Sequence, residues 1–243
     1  RKCGSYLLFV TDKKPDGYPK HLTLLDEGAV LLTGATLALN YTAQDAGYKP
    51  VTAPEDVFAS STTGYGTVEN GMYKAGPKKG TDRLSFSSPS TGASGTGSFF
   101  IIERPTELSV KLEGGVGTLK SLTLWAGDSV RIVPRATYYG KNVVAAPNNF
   151  TYSVSEEAQS WLSVSEDGVV TVSETATSGL NGAVTVQAGS AMVTIDVFIT
   201  GFDDAAGHWG RDFIRALHAA GIVKGQTDTL FGSENTIIRA DFV

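Results

Sequence analysis

The chain has 243 residues, of which 41% are hydrophobic, so it is long enough for about one to three domains with buried cores. Its 20 Lys and Arg residues against 25 Asp and Glu residues leave a net charge of −5. This balance argues against a nucleic-acid-binding surface, because such surfaces need clustered cations. A mean hydropathy of −0.03 and the lack of a long apolar run predict no membrane span.

Residues 1–18 contain a continuous apolar run, Tyr6 to Val10, which is typical of a strand buried on both faces. A turn-rich linker follows, and such a strand has no evident place in the sheets predicted after it. We therefore expect residues 1–18 to be the terminal strand and linker of a preceding domain. The alternative is a strand added to the edge of the next sheet. The single cysteine, Cys3, has no partner for an internal disulfide.

This opening strand resembles the end of bacterial phosphodiester glycosidase domains, relatives of the enzyme that uncovers mannose 6-phosphate. The resemblance covers only a short stretch of the chain. It implies a catalytic domain upstream, and none of that family's catalytic residues can be placed on this sequence.

The middle of the chain contains two similar halves. Asn70-Gly71 and Asp167-Gly168 are strong hairpin signals, because tight hairpin turns need positive φ. Their glycines lie 97 residues apart, a repeat long enough for one sandwich domain. Each half also has a pair of alternating strands, which we predict over 81–86 with 97–102 and over 183–188 with 191–198.

Both halves resemble bacterial immunoglobulin-like domains. The resemblance implies a mostly β fold with two tandem immunoglobulin-like β-sandwiches over 19–104 and 105–200, followed by a short α-helical segment. We place the boundary near Arg104-Pro105, since proline cannot donate to a sheet ladder and suits a linker.

Three aromatic residues of the second half support an alternative function. Trp125 lies beside a turn, and Tyr138 and Tyr139 end a strand, so one of the two tyrosines must point outward. If these rings converge in space, they could stack on sugars as a carbohydrate platform. Equally, Trp125 could fill the sandwich.

The periodicity changes to that of a helix after Gly201. Apolar residues at helical spacing predict one buried stripe, made of Trp209, Phe213, Ala216, Leu217 and Ala220. Gly221 follows, where a left-handed helix cap is expected. Such a short helix needs a partner, either the sheet before it or another helix.

Residues 201–243 resemble an S-layer homology module, the unit that holds bacterial proteins on the cell wall. The residues that carry the resemblance are Phe202, Asp204, Gly207-His208-Trp209, Gly221-Ile222-Val223-Lys224-Gly225, Phe231 and Ile237-Ile238-Arg239-Ala240-Asp241-Phe242. Ile238, Asp241 and Thr229 depart from the usual Thr, Glu and turn Gly. Because the sequence ends at Val243, we expect the module to be partial.

The resemblance implies binding to an acidic cell-wall polysaccharide. Arg239 matches the position that contacts the glycan, and a guanidinium suits a carboxylate because it forms two parallel hydrogen bonds. Asp204 is the second candidate. The alternatives are that Arg239 braces the next helix and that Asp204 caps a turn. We expect Trp209 in the core and His208 in a structural role.

The sequence contains no Gly-x-Ser-x-Gly elbow with a usable His, no Walker loop and no His-Glu-x-x-His helix. We therefore expect no catalytic residues, metal ligands or cofactor. The favoured function is a structural stalk and anchor on the surface or cell wall of a Gram-positive bacterium. A helix without its partner could also join two copies of the chain as a homo-oligomer. A carbohydrate-binding or adhesive module, or an enzyme within these residues, are the other hypotheses.

Overall fold

A computed structural model describes residues 11–235. The predictions for the opening strand, Cys3 and Arg239 lie outside these residues. The mostly β fold is confirmed. In chain order the strands are β1 His21–Leu24, β2 Val30–Leu32, β3 Thr36–Ala38, β4 Tyr41–Gln44, β5 Pro50–Val51, β6 Phe58–Ser61, β7 Gly66–Glu69, β8 Met72–Ala75, β9 Gly80–Ser87, β10 Ser94–Ile102, β11 Glu107–Leu112, β12 Ser121–Trp125, β13 Ser129–Tyr138, β14 Lys141–Val144, β15 Thr151–Val154, β16 Leu162–Val164, β17 Val169–Val172, β18 Asn181–Ala188 and β19 Ala191–Thr200. Short 3-10 helices cover Pro147–Asn149, Glu156–Ala158 and Asp203–Ala205, and an α-helix, α1, covers Arg211–Ala219.

The described chain divides into two compact units. Unit 1 contains residues 11–106 and 136–149, and unit 2 contains residues 107–135 and 150–235. The segment 136–149 returns to unit 1 because β14 pairs in parallel with β2, with Val143 opposite Val30. The chain therefore crosses between the units inside β13, a feature that the order of strands along the sequence does not indicate.

Unit 1 is a sandwich of two sheets. The larger sheet has the order β14-β2-β10-β1-β4-β5, with β9 beside β10 and β6 beside β9, and the smaller one has the order β3-β8-β7. Buried side chains from both sheets meet in one core, including Leu31, Phe99 and Tyr73. The predicted pairing of 81–86 with 97–102 is present, in an antiparallel register that places Phe86 opposite Gly95.

Unit 2 contains a sheet of order β12-β19-β18-β15 and a second group of strands, β16-β17-β13, with β11 beside β13. Strand β19 alternates as predicted, since Ile195, Val197 and Ile199 are buried and the residues between them are exposed. Burial of one face in this way is what period-two patterning indicates in an antiparallel sheet.

The two predicted hairpins form, but with different turns. Asn70 and Gly71 have φ of 50° and 72°, as a two-residue turn between β7 and β8 requires. In the second hairpin only Gly168 has positive φ, at 78°. There the turn is four residues long. The Gly168 N–H donates to the Ser165 carbonyl oxygen, and the Ser165 N–H donates to the Val169 carbonyl oxygen.

Candidate functional site

Helix α1 ends as the sequence predicts. Gly221 has φ of 71°, and its N–H donates to the His218 carbonyl oxygen at 2.9 Å. The Ile222 N–H donates to the Leu217 carbonyl oxygen, also at 2.9 Å. Two of the last free carbonyls of the helix are thus satisfied by a left-handed glycine cap.

The predicted apolar stripe is not buried by the sheet before it, and the expectation that Trp209 lies in the core is wrong. The helix buries Ile214, which is 7% exposed, whereas Trp209 is 85%, Phe213 69% and Leu217 40% exposed. The five residues of the predicted stripe do share a face, but that face points to solvent. The physical reason is that the other face carries the residues that contact the rest of unit 2, Arg211, Ile214 and Arg215.

One part of that contact is apolar. Trp125, Phe202, Ala205 and Ile214 form a small buried cluster, against which Phe231 packs. The Trp125 and Phe202 rings meet edge to face at 5.8 Å, a favourable arrangement of aromatic rings. The end of β12 and the start of the C-terminal segment therefore share one core within unit 2.

Two glycines allow this close packing. Gly201 has φ of 99°, and a Cβ at this position would overlap the Trp125 ring. Gly225, the last residue of the Gly-Ile-Val-Lys-Gly sequence, lies so close to Phe202 that a Cβ there would overlap the ring. These contacts explain why positions 201 and 225 need glycine, the residue without a Cβ.

The second part of the contact is ionic and centres on Asp128, which is 8% exposed. Its carboxylate accepts hydrogen bonds from Arg211 Nη2 at 2.5 Å and from Arg215 Nη1, which lies 2.9 Å from both oxygens. It also accepts the backbone N–H of Trp125 at 2.8 Å. The Arg215 guanidinium lies 5.7 Å from the Trp125 ring centroid, within cation–π range.

Sequence reasoning missed this ion cluster. Arg211 and Arg215 are spaced by four residues, so they share a helix face. That spacing was a usable signal for a common anionic partner. Asp128, however, lies 83 residues before Arg211, and no local pattern connects them.

Asp204 holds the loop that follows the helix. Its carboxylate accepts the backbone N–H groups of Phe231, Gly232 and Ser233 at 2.8, 2.7 and 3.0 Å. Burial raises the pKa of Asp204, but these hydrogen bonds lower it more, so the pKa lies below the ordinary value of 3.8. Its oxygens are therefore occupied by backbone donors, as in the capping role considered for this residue.

His208 also has structural partners. Its Nδ1 accepts the Gly210 N–H at 3.0 Å, and its Nε2 lies 3.5 Å from Glu234 Oε1. Within residues 11–235, no group of three His, Cys, Asp or Glu side chains is placed to hold a metal ion. Within the same range, no helix has the length and apolar character needed to cross a membrane.

The three aromatics proposed for sugar stacking have different environments. Trp125 is 6% exposed beneath Phe202 and Ile214, so its ring offers no face to a sugar. This corrects the expectation for Trp125. Tyr138 is half-buried and Tyr139 is 81% exposed, and their rings meet edge to face at 4.7 Å. Both tyrosines belong to unit 1, on the hairpin of β13 and β14.

Comparison with known proteins identifies the C-terminal segment. The model of the S-layer homology domain matches residues 201–243. These residues are an S-layer homology domain. A stretch of 54 residues is also 39% identical to Cell surface glycoprotein 1 of Acetivibrio thermocellus. The stretch covers 22% of this chain and 2% of that protein, so the chain spans a small fraction of its relative.

Solved structures resemble the chain only loosely. Domains 5–6 of the S-layer protein SbsC are 14% identical, with a TM-score of 0.32 over 76% of this chain and 98% of that one. The bacterial integrin-binding protein invasin is 16% identical, with a TM-score of 0.29 over 79% of this chain and 41% of that one. The extracellular repeats 1–4 of Drosophila N-cadherin have a TM-score of 0.26 at 11% identity, over 74% and 50% of the two chains.

Replacing Gly201 tests how the S-layer homology domain packs against Trp125. We expect Gly201→Ala to lower the free energy of unfolding of unit 2 by about 2–4 kcal/mol, because it combines overpacking with a strained positive φ. Trp125, Trp161 and Trp209 all lie in unit 2, so tryptophan fluorescence during urea unfolding reports this unit alone. Gly207→Ala is the matched control, since a Cβ there meets nothing within 4 Å. Equal stability of the two variants would contradict the packing described.

The lowered pKa of Asp204 predicts a pH dependence. A carboxyl group with a lower pKa in the folded state stabilises that state above its unfolded pKa, near 3.8, and this stabilisation is lost as the pH falls through the folded value. We expect the amides of Phe231, Gly232 and Ser233 to lose hydrogen-exchange protection at low pH, after correction for intrinsic rates. Asp204→Asn should lose protection even at neutral pH. Protection that stays constant on acidification would overturn this role, and Asp228→Asn, an exposed acid nearby, serves as the control.

Proposed function

We propose that this chain is a non-catalytic region of a bacterial cell-surface protein, attached to a cell-wall polysaccharide through its S-layer homology domain. The observation that carries the proposal is the match of residues 201–243 to that domain. Similarity to a cell-surface glycoprotein agrees with it. The location is the cell wall or surface of a Gram-positive bacterium, and the two sandwiches space an upstream domain from the wall. That upstream domain is of the phosphodiester glycosidase type.

The ligand in this proposal is an acidic wall polymer, with Arg239 as the contact. A guanidinium binds a carboxylate through two charged hydrogen bonds, and this favours Arg over Lys. Asp204 supports the site indirectly in this proposal, because its carboxylate fixes the loop of Phe231 to Ser233, which precedes Arg239 in the sequence.

Attachment also requires that load on the wall-binding domain reaches the sandwich. The shared apolar cluster and the Asp128 ion cluster connect the S-layer homology domain to β12 within unit 2. A domain joined by a flexible linker would lack both contacts. The arrangement therefore suits an anchor that holds a stalk in a fixed orientation.

Cosedimentation with purified cell walls of Acetivibrio thermocellus tests the wall-binding proposal. We expect the full chain to bind walls that retain their acidic secondary polymers and not walls from which these have been extracted. Arg239→Gln should bind roughly tenfold more weakly, as expected for loss of a charged contact of about 1.4 kcal/mol. Arg83→Gln, an exposed arginine of unit 1, is the control. Equal binding to extracted walls would contradict the proposal.

The exposed face of α1 supports a second component of the proposal, a homo-oligomer. Trp209, Phe213, Leu217 and Ile222 expose roughly 500 Å² of surface, comparable to the largest apolar patch of a typical monomer, and such patches are often functional. The negatively charged Asp212 lies at the start of the helix, and the positively charged Lys224 lies beyond its end, where it is exposed. Antiparallel pairing of two such helices places opposite charges and opposed helix dipoles together. We infer that two copies of the chain pair through this face.

Light scattering after size-exclusion chromatography tests the pairing. We expect the chain to be a dimer at concentrations of about tens of micromolar, because an interface of this small area gives only weak association. Phe213→Ser should give a monomer, because it removes a central apolar contact. Phe198→Ser, an exposed phenylalanine on β19, should leave the dimer intact. A monomeric wild-type chain at this concentration would refute the pairing.

A further inference from the structure

The outer face of the larger sheet in unit 1 carries its own apolar cluster. Strand β10 directs Phe99 and Ile101 into the main core, so Phe100 and Ile102 lie on the opposite face. There Ile102 packs with Val30 and Leu32, and Tyr138 covers part of the cluster from the end of β13. This second cluster is too small to form another layer of the sandwich. Two of its residues, Ile102 and Tyr138, line a groove on the surface.

The groove has a volume of about 460 Å³, within the usual size of small-ligand sites. It is lined by Lys79, Gly80, Thr81, Phe100, Ile101, Ile102, Glu103, Arg104 and Tyr138. Phe100 is 41% exposed and Tyr138 is half-buried, so both present ring surface to solvent. Lys141, which pairs with Tyr138 in the hairpin, places its Nζ 6.0 Å from the Phe100 ring centroid.

Tyr139 extends this aromatic surface in a strained conformation. It has φ of 45° and Gly140 has φ of 78°, so the two form the tight turn of the β13–β14 hairpin. Asn or Gly normally occupies the first position, and a bulky residue with positive φ is uncommon. The Tyr139 N–H donates to Thr106 Oγ1 at 2.9 Å, which holds the turn in place. Strained backbone conformations cluster at functional sites, and this motivates the inclusion of Tyr139 in this surface.

The charge around the groove differs from that of the chain. Lys79 and Lys141 lie beside one acid of the groove, Glu103, whereas the whole chain has a net charge of −5. Lys79 and Glu103 pair at 3.2 Å with both side chains largely exposed, so a ligand carboxylate can compete for the lysine. The surface therefore combines ring faces with an excess of positive charge.

We propose that this groove binds a carboxylate-bearing polysaccharide. Rings such as Phe100, Tyr138 and Tyr139 offer flat apolar faces for the C–H faces of sugars, and the nearby cations pair with carboxylates on the glycan. The site is separate from the S-layer homology domain, since it lies in unit 1 and that domain lies in unit 2. It gives the sandwich region a contact with acidic glycans beyond wall attachment through Arg239.

Affinity electrophoresis of the full chain in gels that contain polygalacturonate tests the site. We expect retardation by polygalacturonate, and at least roughly tenfold weaker binding to neutral dextran and to polyphosphate, which carries charge without sugar rings. Tyr139→Gly should weaken binding roughly tenfold without loss of stability, because glycine adopts positive φ without strain. Lys141→Gln should weaken binding and reduce its dependence on salt.

Matched variants separate this site from the others. Tyr18→Ala and Lys20→Gln remove an exposed aromatic and a cation elsewhere in unit 1 and should bind as wild type does. Arg239→Gln should also bind polygalacturonate normally, which separates this proposal from wall attachment. No retardation, equal binding to polyphosphate, or wild-type binding by both Tyr139→Gly and Lys141→Gln would overturn the proposal. Loss of binding in Arg239→Gln alone would overturn it as well.

Discussion

The carboxylate of Asp128 joins two parts of the chain that are distant in sequence. It lies in the turn after β12 and accepts hydrogen bonds from two arginines of α1 and from the Trp125 backbone. A largely buried carboxylate is costly unless it is paired, and removal of a buried partner typically costs about 3–5 kcal/mol because a charge is left unpaired. Here the packed face of α1 and its register on unit 2 both depend on this one acid.

The outward position of the apolar residues on α1 follows from the same contact. Once Arg211 and Arg215 face Asp128, the helix geometry turns Phe213 and Leu217 away from the sandwich. The face of α1 that packs within the unit thus carries Arg211, Arg215 and the buried Ile214, and the face with Phe213 and Leu217 is exposed.

Local features of the fold could be predicted from the sequence, and non-local ones could not. Asn70-Gly71, the Gly221 cap and the alternation of β19 depend on residues close together in the chain, where backbone preferences and periodicity decide the structure. Helical spacing predicted which residues of α1 share a face. It could not predict which face is buried, because that choice depends on Asp128. Likewise the pairing of β14 with β2 connects residues more than a hundred positions apart. Because of it, Tyr138 and Tyr139 belong to unit 1, whereas Trp125 belongs to unit 2.

A double-mutant cycle between Asp128 and Arg215 tests the central role of this contact most directly. Asp128→Asn, Arg215→Gln and the double variant are compared with wild type by urea unfolding, followed by tryptophan fluorescence. The structure predicts a coupling free energy of about 1–3 kcal/mol, as found for residues in one ion-pair network. Additive effects of the two substitutions, with no coupling, would contradict the account.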